Sequence, residues 1–125
     1  MNINQSFKQK LIDIVGSDYV IVDKQDMIVY ESDGTHDKGM PDYVTLPGSV
    51  EEVSKLVILA NDYGIPIIAR GSGTGLSGGA VPISGGLIIS VNRMNKILNI
   101  DQEKATAELE AGVINLEISK KASEY

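Results

Sequence analysis

The sequence predicts an α+β fold: a small parallel sheet containing a βαβ unit, with helices, followed by the start of an antiparallel subdomain. Three observations predict it. From Tyr43 to Ala69 the pattern runs strand, helix, strand, within about thirty residues, as parallel strands joined by a crossover require. Leu87-Ile-Ile-Ser-Val91 is a nearly continuous apolar run, of the kind buried on both faces of a sheet. Ile97–Ala111 then reads as two strands about a polar turn, an antiparallel hairpin pattern.

Residues 1–38 form a helical lead segment. Phe7, Leu11, Ile14 and Val15 recur at i, i+4, i+7 and i+8, one helix face, and Gly16 suits its stop. Asp26–Tyr30 fits either a helix or a strand, and Glu31–Gly39 is a polar, glycine-containing loop. Residues 39–125 form the second part. Tyr43–Leu46 is a short strand closed by Pro47-Gly48. Ser49 and Glu52 have capping-box spacing, so each side chain can satisfy a backbone N–H at the helix start. Val50, Val53, Leu56, Val57 and Ala60 are expected on one helix face, with Gly64 in the left-handed position beyond its end. Ile65–Ala69 is an apolar strand with Pro66 at its beginning. It is expected to pair in parallel with Tyr43–Leu46 through a right-handed crossover.

Ile97–Ile100 is a strand, Asp101–Lys104 a turn, and Ala105–Ala111 alternates at period two, which predicts a half-exposed antiparallel strand. Leu116, Ile118, Ala122 and Tyr125 fall near helical spacing with no stop residue after them, so a helix is expected to run on to Tyr125.

Composition excludes much. The 125 residues fit one domain. A formal charge of −6 argues against a nucleic-acid partner, whose phosphates need a basic footprint. One Phe, five Tyr and no Trp leave few platforms for stacking bases. With no cysteine there is no disulfide framework, thiolate nucleophile or Cys-ligated metal. His36 is the single histidine. No apolar run approaches the ~20 residues of a membrane span. The MNINQSFKQK start lacks the apolar stretch of a secretory signal, which points to a cytoplasmic setting.

Glycine is the unusual component: thirteen in all, seven of them between Gly71 and Gly86. Turning between two strands would need two or three. Alternating glycines let the backbone curl and present successive N–H groups to an anion without side chains in the way. Ser72, Thr74 and Ser77 add hydroxyls, and the segment follows the second strand of the βαβ unit, where ligands of open α/β sheets bind. Composition and position together point to an anionic ligand such as a pyrophosphate. A Walker loop is excluded because no Gly-Lys pair exists. Gly73-Thr-Gly-Leu-Ser-Gly78 matches GxGxxG, but Pro82, Gly85 and Gly86 follow where a Rossmann helix would open.

The stretch from Pro41 to Val113 resembles a known family. The shared pieces, in order, are Pro41-Asp-Tyr-Val-Thr-Leu-Pro47, Ser49-Val-Glu-Glu-Val53, Ile65-Pro66, the run RGSGTGLSGGAVP from Arg70 to Pro82, Arg93-Met-Asn-Lys-Ile97, Ile100-Asp101 and Ala111-Gly-Val113. They resemble the FAD-binding (PCMH-type) domain of the vanillyl-alcohol-oxidase flavoproteins, and within these the glycolate oxidase and D-lactate dehydrogenase branch of FAD-linked oxidases. The resemblance implies an incomplete PCMH-type fold, the truncated front of an FAD-dependent enzyme that oxidises a 2-hydroxy acid (glycolate or D-lactate type) by hydride transfer to flavin. Carried over onto this chain, the pyrophosphate loop is Gly71, Ser72, Gly73, Thr74, Gly75 and Leu76, with Gly78 and Gly79 closing the turn and Pro47 near the adenine end. The family's second flavin loop, substrate-binding Arg and catalytic His have no counterpart here. No catalytic residue is therefore assigned, and the chain alone is expected to be inactive and to hold FAD weakly or not at all. Thr74 stands where some members carry a flavin-linked His, and there is no Cys, so the flavin is expected to be noncovalent. An electron-transfer partner protein is also implied for the parent.

Other residues carry weaker signals. His36 sits in a polar loop and fits a solvated residue better than a base. Arg70 fits either a phosphate or an acidic surface partner. Ser77 lacks the GxSxG elbow of a nucleophile. Arg93, Asn95 and Lys96 form a basic turn, solvated or near the cofactor phosphates. Asp33, Asp37 and Asp42 do not follow the EF-hand order. The rival readings are a non-catalytic nucleotide- or phosphate-binding module and a ligand-free fragment.

Overall fold

The computed structural model describes residues 2–31, 39–74 and 79–125. Its organising strand is β4 (Leu87–Ser90), all four residues of which are buried. A strand apolar along its whole length can be satisfied only with neighbours on both edges and layers on both faces. It lies between β2 (Tyr43–Thr45) and β3 (Ile67–Arg70), parallel to both, and β1 (Val20–Ile21) adds antiparallel to β2. The expected direct pairing of the Tyr43–Leu46 and Ile65–Ala69 strands is therefore corrected. They are parallel, but β4 is inserted between them. The reason is burial: Ile67 and Ala69 of β3 are exposed, as suits an edge, whereas β4 has no exposed position. Asp42 pins the starts of β2 and β4, its backbone N–H donating to the Gly86 carbonyl at 2.9 Å and its carboxylate accepting from the Gly86 N–H at 2.8 Å.

One face of the sheet is covered by α1 (Ile3–Val15) and α3 (Val50–Asp62). Phe7, Leu11 and Val15 of α1 pack with Leu56, Leu59 and Ala60 of α3 and with Leu87 and Ile89. Phe7 is fully buried and meets the Tyr43 ring edge-on at 5.0 Å between centroids. Gly16 ends α1 at φ +90, and Gly64 follows α3 at φ +64, both as the sequence predicts. The cap of α3 also forms: Ser49 Oγ accepts from the Glu52 N–H at 3.2 Å, while the Glu52 carboxylate reaches one residue further back, to the Gly48 N–H.

The buried stripe of α3 differs from the expected one. Val50 and Val57 are exposed, and Leu59 is buried in their place. The stripe Val53, Leu56, Leu59/Ala60, Tyr63 is what faces α1 and the sheet, and hydrophobicity alone cannot choose between adjacent apolar stripes.

The other face holds Met27, Val44 and Ile88, with Ile21, Tyr30, Leu46 and Ile68 packed around them. The ambiguous Asp26–Tyr30 segment resolves into helix: α2 (Lys24–Met27), capped by Asp23, runs into a 3₁₀ turn at Ile28–Tyr30.

β5 (Ile97–Asp101) and β6 (Thr106–Leu109) form the antiparallel hairpin, and α4 (Asn115–Ala122) follows. Thr106, Ala107 and Glu108 are all exposed, so the period-two alternation has no burial counterpart. The last helix also ends earlier than expected, at Ala122, where the Ser123 hydroxyl donates to the Lys120 carbonyl at 2.7 Å. No described helix is long and apolar enough to cross a membrane.

Phe7→Ala should destabilise the chain by about 3–5 kcal/mol in urea unfolding, as a large aromatic removed from a closed core does. Leu98→Ala, at a residue 57% exposed, should stay within about 0.5 kcal/mol.

Candidate functional site at the carboxyl ends of the parallel strands

Because β2, β3 and β4 are parallel, their carboxyl ends emerge on one edge of the sheet. The chain segments that leave them, Leu46–Gly48, Gly71–Thr74 and Val91–Asn95, therefore start side by side. Two bonds tie them: the Val91 N–H donates to the Arg70 carbonyl at 2.9 Å, and Arg93 Nη1 donates to the Leu46 carbonyl at 2.6 Å. The Arg93 guanidinium also stacks on Tyr19, 3.4 Å from the ring centroid. The exposed Arg93 of the basic turn is thus engaged with protein groups and not simply solvated. Arg93 staples the Leu46–Gly48 turn.

A fourth segment, Ala111–Asn115, returns to the same edge after the hairpin. The Gly112 N–H donates to the Met94 carbonyl at 2.8 Å. A Cβ at Gly112 would collide with the Val91 carbonyl oxygen and come within 2.8 Å of the Met94 carbonyl oxygen. Only glycine lets these two backbones approach so closely.

Between the segments lie two adjoining cavities. One, of 330 Å³, is lined by Gly71, Ser72, Thr74 and the Ala111–Asn115 segment. The larger, of 660 Å³, shares Ser72 and Gly112–Ile114 and adds Asn92, Asn95, Ile97 and Glu117. The smaller cavity has no charged side chain in its lining. It offers backbone, the paired hydroxyls of Ser72 and Thr74 (3.2 Å apart) and the first turn of α4. That turn has no side-chain cap, since Ile114 occupies the N-cap position. Uncapped N–H groups and the helix dipole favour an anion there. At Gly71 an added Cβ would meet nothing within 4 Å, so a ligand can approach the backbone directly. These donors fit a pyrophosphate held by neutral groups. The one charged lining residue, Glu117, opposes it.

The sequence-derived site residues divide accordingly. Gly71, Ser72 and Thr74 line the cavity. Gly73, at φ +73, turns toward Arg70, whose guanidinium occupies the space a Cβ would need. Gly79 is exposed with open space about it, and Pro47 is fully buried beside the Arg93-stapled turn. Neither lines the two cavities. Gly75, Leu76, Ser77, Gly78, His36, Asp33 and Asp37 lie outside the described residues. Gly85 and Gly86, counted in the glycine-rich stretch, have packing roles: their positive φ values place them against the Asp42 carboxylate and the Pro66 carbonyl. Asp42 is thus committed to the sheet, and no metal-ligating cluster occurs among the described residues.

Reasoning on the sequence missed Asn92, Gly112–Asn115 and Glu117 as cavity residues. The signal for Gly112 was present, since an isolated glycine after a strand marks a close backbone approach. Arg70, expected to meet either a phosphate or an acidic surface partner, is 8% exposed and points inward. Its Nη2 donates to the Val29 carbonyl at 3.0 Å and its Nη1 to the Ala80 carbonyl at 3.4 Å.

Comparison with known proteins shows the family. A family model described as an FAD binding domain matches residues 41–125. The chain is 37% identical over 117 residues to glycolate oxidase subunit GlcD of Bacillus subtilis, covering 93% of this chain and 25% of that protein. It is 40% identical over 96 residues to D-lactate dehydrogenase of Anaerostipes hadrus, covering 72% of this chain and 20% of that one. Among solved structures, an alkyldihydroxyacetonephosphate synthase superposes with a TM-score of 0.84 at 29% identity, over 96% of this chain and 25% of the other. p-Cresol methylhydroxylase gives 0.83 at 26%, over 96% and 24%. The chain spans a quarter or less of the length of these proteins.

Gly112→Ala should cost about 1–3 kcal/mol in urea unfolding, as forcing a methyl group into closed packing does, and should reduce the affinity of any ligand held between Thr74 and Asn115. By these comparisons, the chain belongs to the FAD-binding domain family.

Proposed function

We propose that this member of the FAD-binding domain family supplies the pyrophosphate side of the flavin site in an FAD-linked oxidoreductase acting on 2-hydroxy acids of the glycolate or D-lactate type. The observation that carries the reading is the convergence of Gly71–Thr74 and Ala111–Asn115 on one uncharged cavity at the strand ends. The substrate class rests on the likeness to the glycolate oxidase subunit and D-lactate dehydrogenase. When bound, FAD would supply the hydride acceptor for substrate oxidation. The chain's own part is to bind and orient. Backbone N–H groups at Gly71–Thr74, with the Ser72 and Thr74 hydroxyls, would donate to the phosphate oxygens, and the uncapped α4 start would add its dipole. Gly75, Leu76, Gly78 and Gly79 extend the same loop in this reading, and Pro47 backs the adenine end. Residues 1–38 serve as the lead segment and 39–125 as the first part of the FAD domain. No catalytic residue is assigned within the chain. The substrate site and an electron-accepting partner belong to the full-length enzyme.

Thermal melts of the chain with FAD, ADP and inorganic pyrophosphate test this. A ligand at tenfold excess over its Kd stabilises by about 1.4 kcal/mol. The expected result is weak stabilisation by all three ligands, in keeping with a chain that carries only the pyrophosphate side of the site, with FAD slightly the most effective. An effect of ADP equal to that of FAD would favour a nucleotide-binding module without flavin chemistry, and no response to any of them would overturn the reading. Glu117→Gln removes the one acid of the adjoining larger cavity and should tighten pyrophosphate about two- to fivefold, the size of a charge effect in a first helical turn. Titration calorimetry measures it. In the full-length enzyme, acid precipitation should leave the flavin in the supernatant; a yellow pellet would show a covalent bond.

A further inference from the structure

We propose that Arg70 is a positioning residue that clamps the lead segment to both ends of the glycine-rich loop, so that residues 28–31 help set the loop's geometry without touching its ligand. The inference rests on the phosphate reading of that loop but can be tested apart from it.

Arg70 is the last residue of β3 and its side chain lies on the same face of the sheet as Ile68, toward α2. There the guanidinium stacks 5.3 Å from the Tyr30 ring centroid and donates to the Val29 carbonyl. The same group reaches the Ala80 carbonyl, just past the loop, and fills the space beneath Gly73, at its beginning. One buried, planar cation thus meets three separate stretches of chain. Guanidinium suits this because its donors diverge in a fixed plane and its charge persists at every physiological pH. The positive φ of Gly73 is matched to that plane: the turn bends over the guanidinium, and a side chain there would have to displace it. The residues stacked beneath, Val29 and Tyr30, precede the matched family segment, which begins at residue 41. The lead segment then supports the loop from behind, through Arg70.

The test uses the ligand-free chain. Backbone ¹⁵N order parameters at Gly71, Ser72 and Gly73 should be near the ~0.85 of rigid backbone in the wild type and fall below ~0.6 in Arg70→Gln. Those of Leu56 and Ile88 should not change. Arg70→Lys, keeping the charge but not the fork, should recover part of the order. Tyr30→Leu should loosen the same three residues to a smaller degree, and it serves if the Arg70 variants fold poorly.

A double-mutant cycle supplies a readout that general destabilisation does not move. Gly73→Ala should raise the unfolding equilibrium constant about tenfold more with Arg70 present than in an Arg70→Ala background, because the guanidinium opposes the added methyl group on top of the left-handed backbone cost, which both backgrounds share. Equal costs in the two backgrounds, unchanged order parameters in Arg70→Gln, or a wild-type loop already mobile at Gly71–Gly73 would each overturn the clamp. Calorimetry with inorganic pyrophosphate separates the two claims. A rigid, Arg70-dependent loop that binds no pyrophosphate keeps the clamp and overturns the phosphate reading; pyrophosphate binding with no Arg70 dependence of loop order does the reverse.

Discussion

The burial of β4 on both edges and both faces is the constraint from which the rest follows. Leu87 and Ile89 face α1 and α3, and Ile88 faces Met27 and Val44. Fully burying such side chains is worth about 1.5–3 kcal/mol each, so no arrangement that leaves the strand at an edge competes. With β4 central, its parallel neighbours must end where it ends, and three chain segments are delivered to one edge. The site exists because of that delivery. Gly85 and Gly86, at positive φ, let the chain enter β4 directly from the turn held by Asp42.

The site is built mostly from backbone. Ser72 and Thr74 contribute hydroxyls, but the closest approaches are made possible by missing side chains, at Gly73 and Gly112. Such a surface suits a ligand whose negative charge is spread over many oxygens, since converging N–H groups satisfy them without a lysine or arginine. It also accounts for an acidic chain serving an anionic ligand. The overall charge of −6 lies mainly elsewhere, and at ordinary salt charges more than about 8–10 Å away are screened. The two arginines nearest the strand ends are engaged internally: Arg93 with Leu46 and Tyr19, Arg70 with Val29, Ala80 and Tyr30.

The two halves of the chain differ in how far they are packed. The four-stranded sheet carries clusters on both faces, whereas α4 has no buried residue and Leu98, Ile114 and Leu116 are each more than half exposed. Hairpin and helix hold their shape by local bonds, among them the Lys120–Glu117 and Lys121–Glu124 pairs. Exposed pairs of this kind contribute little individually.

Local patterns alone determined a good deal. The face of α1, the caps of α3, the strand at Leu87 and the hairpin turn are each set by residues within a few positions of one another, and each was legible. What required the tertiary structure was every decision between distant alternatives. Strand order was one: apolar content marks β4 as buried but does not say which strands flank it. The choice of stripe on α3 was another, because Val57 and Leu59 are equally apolar and only the position of α1 selects between them. The direction of Arg70 was a third. Its partners at Val29 and Ala80 are 41 and 10 residues away, and no local rule distinguishes a guanidinium that reaches outward from one that turns inward beneath Gly73.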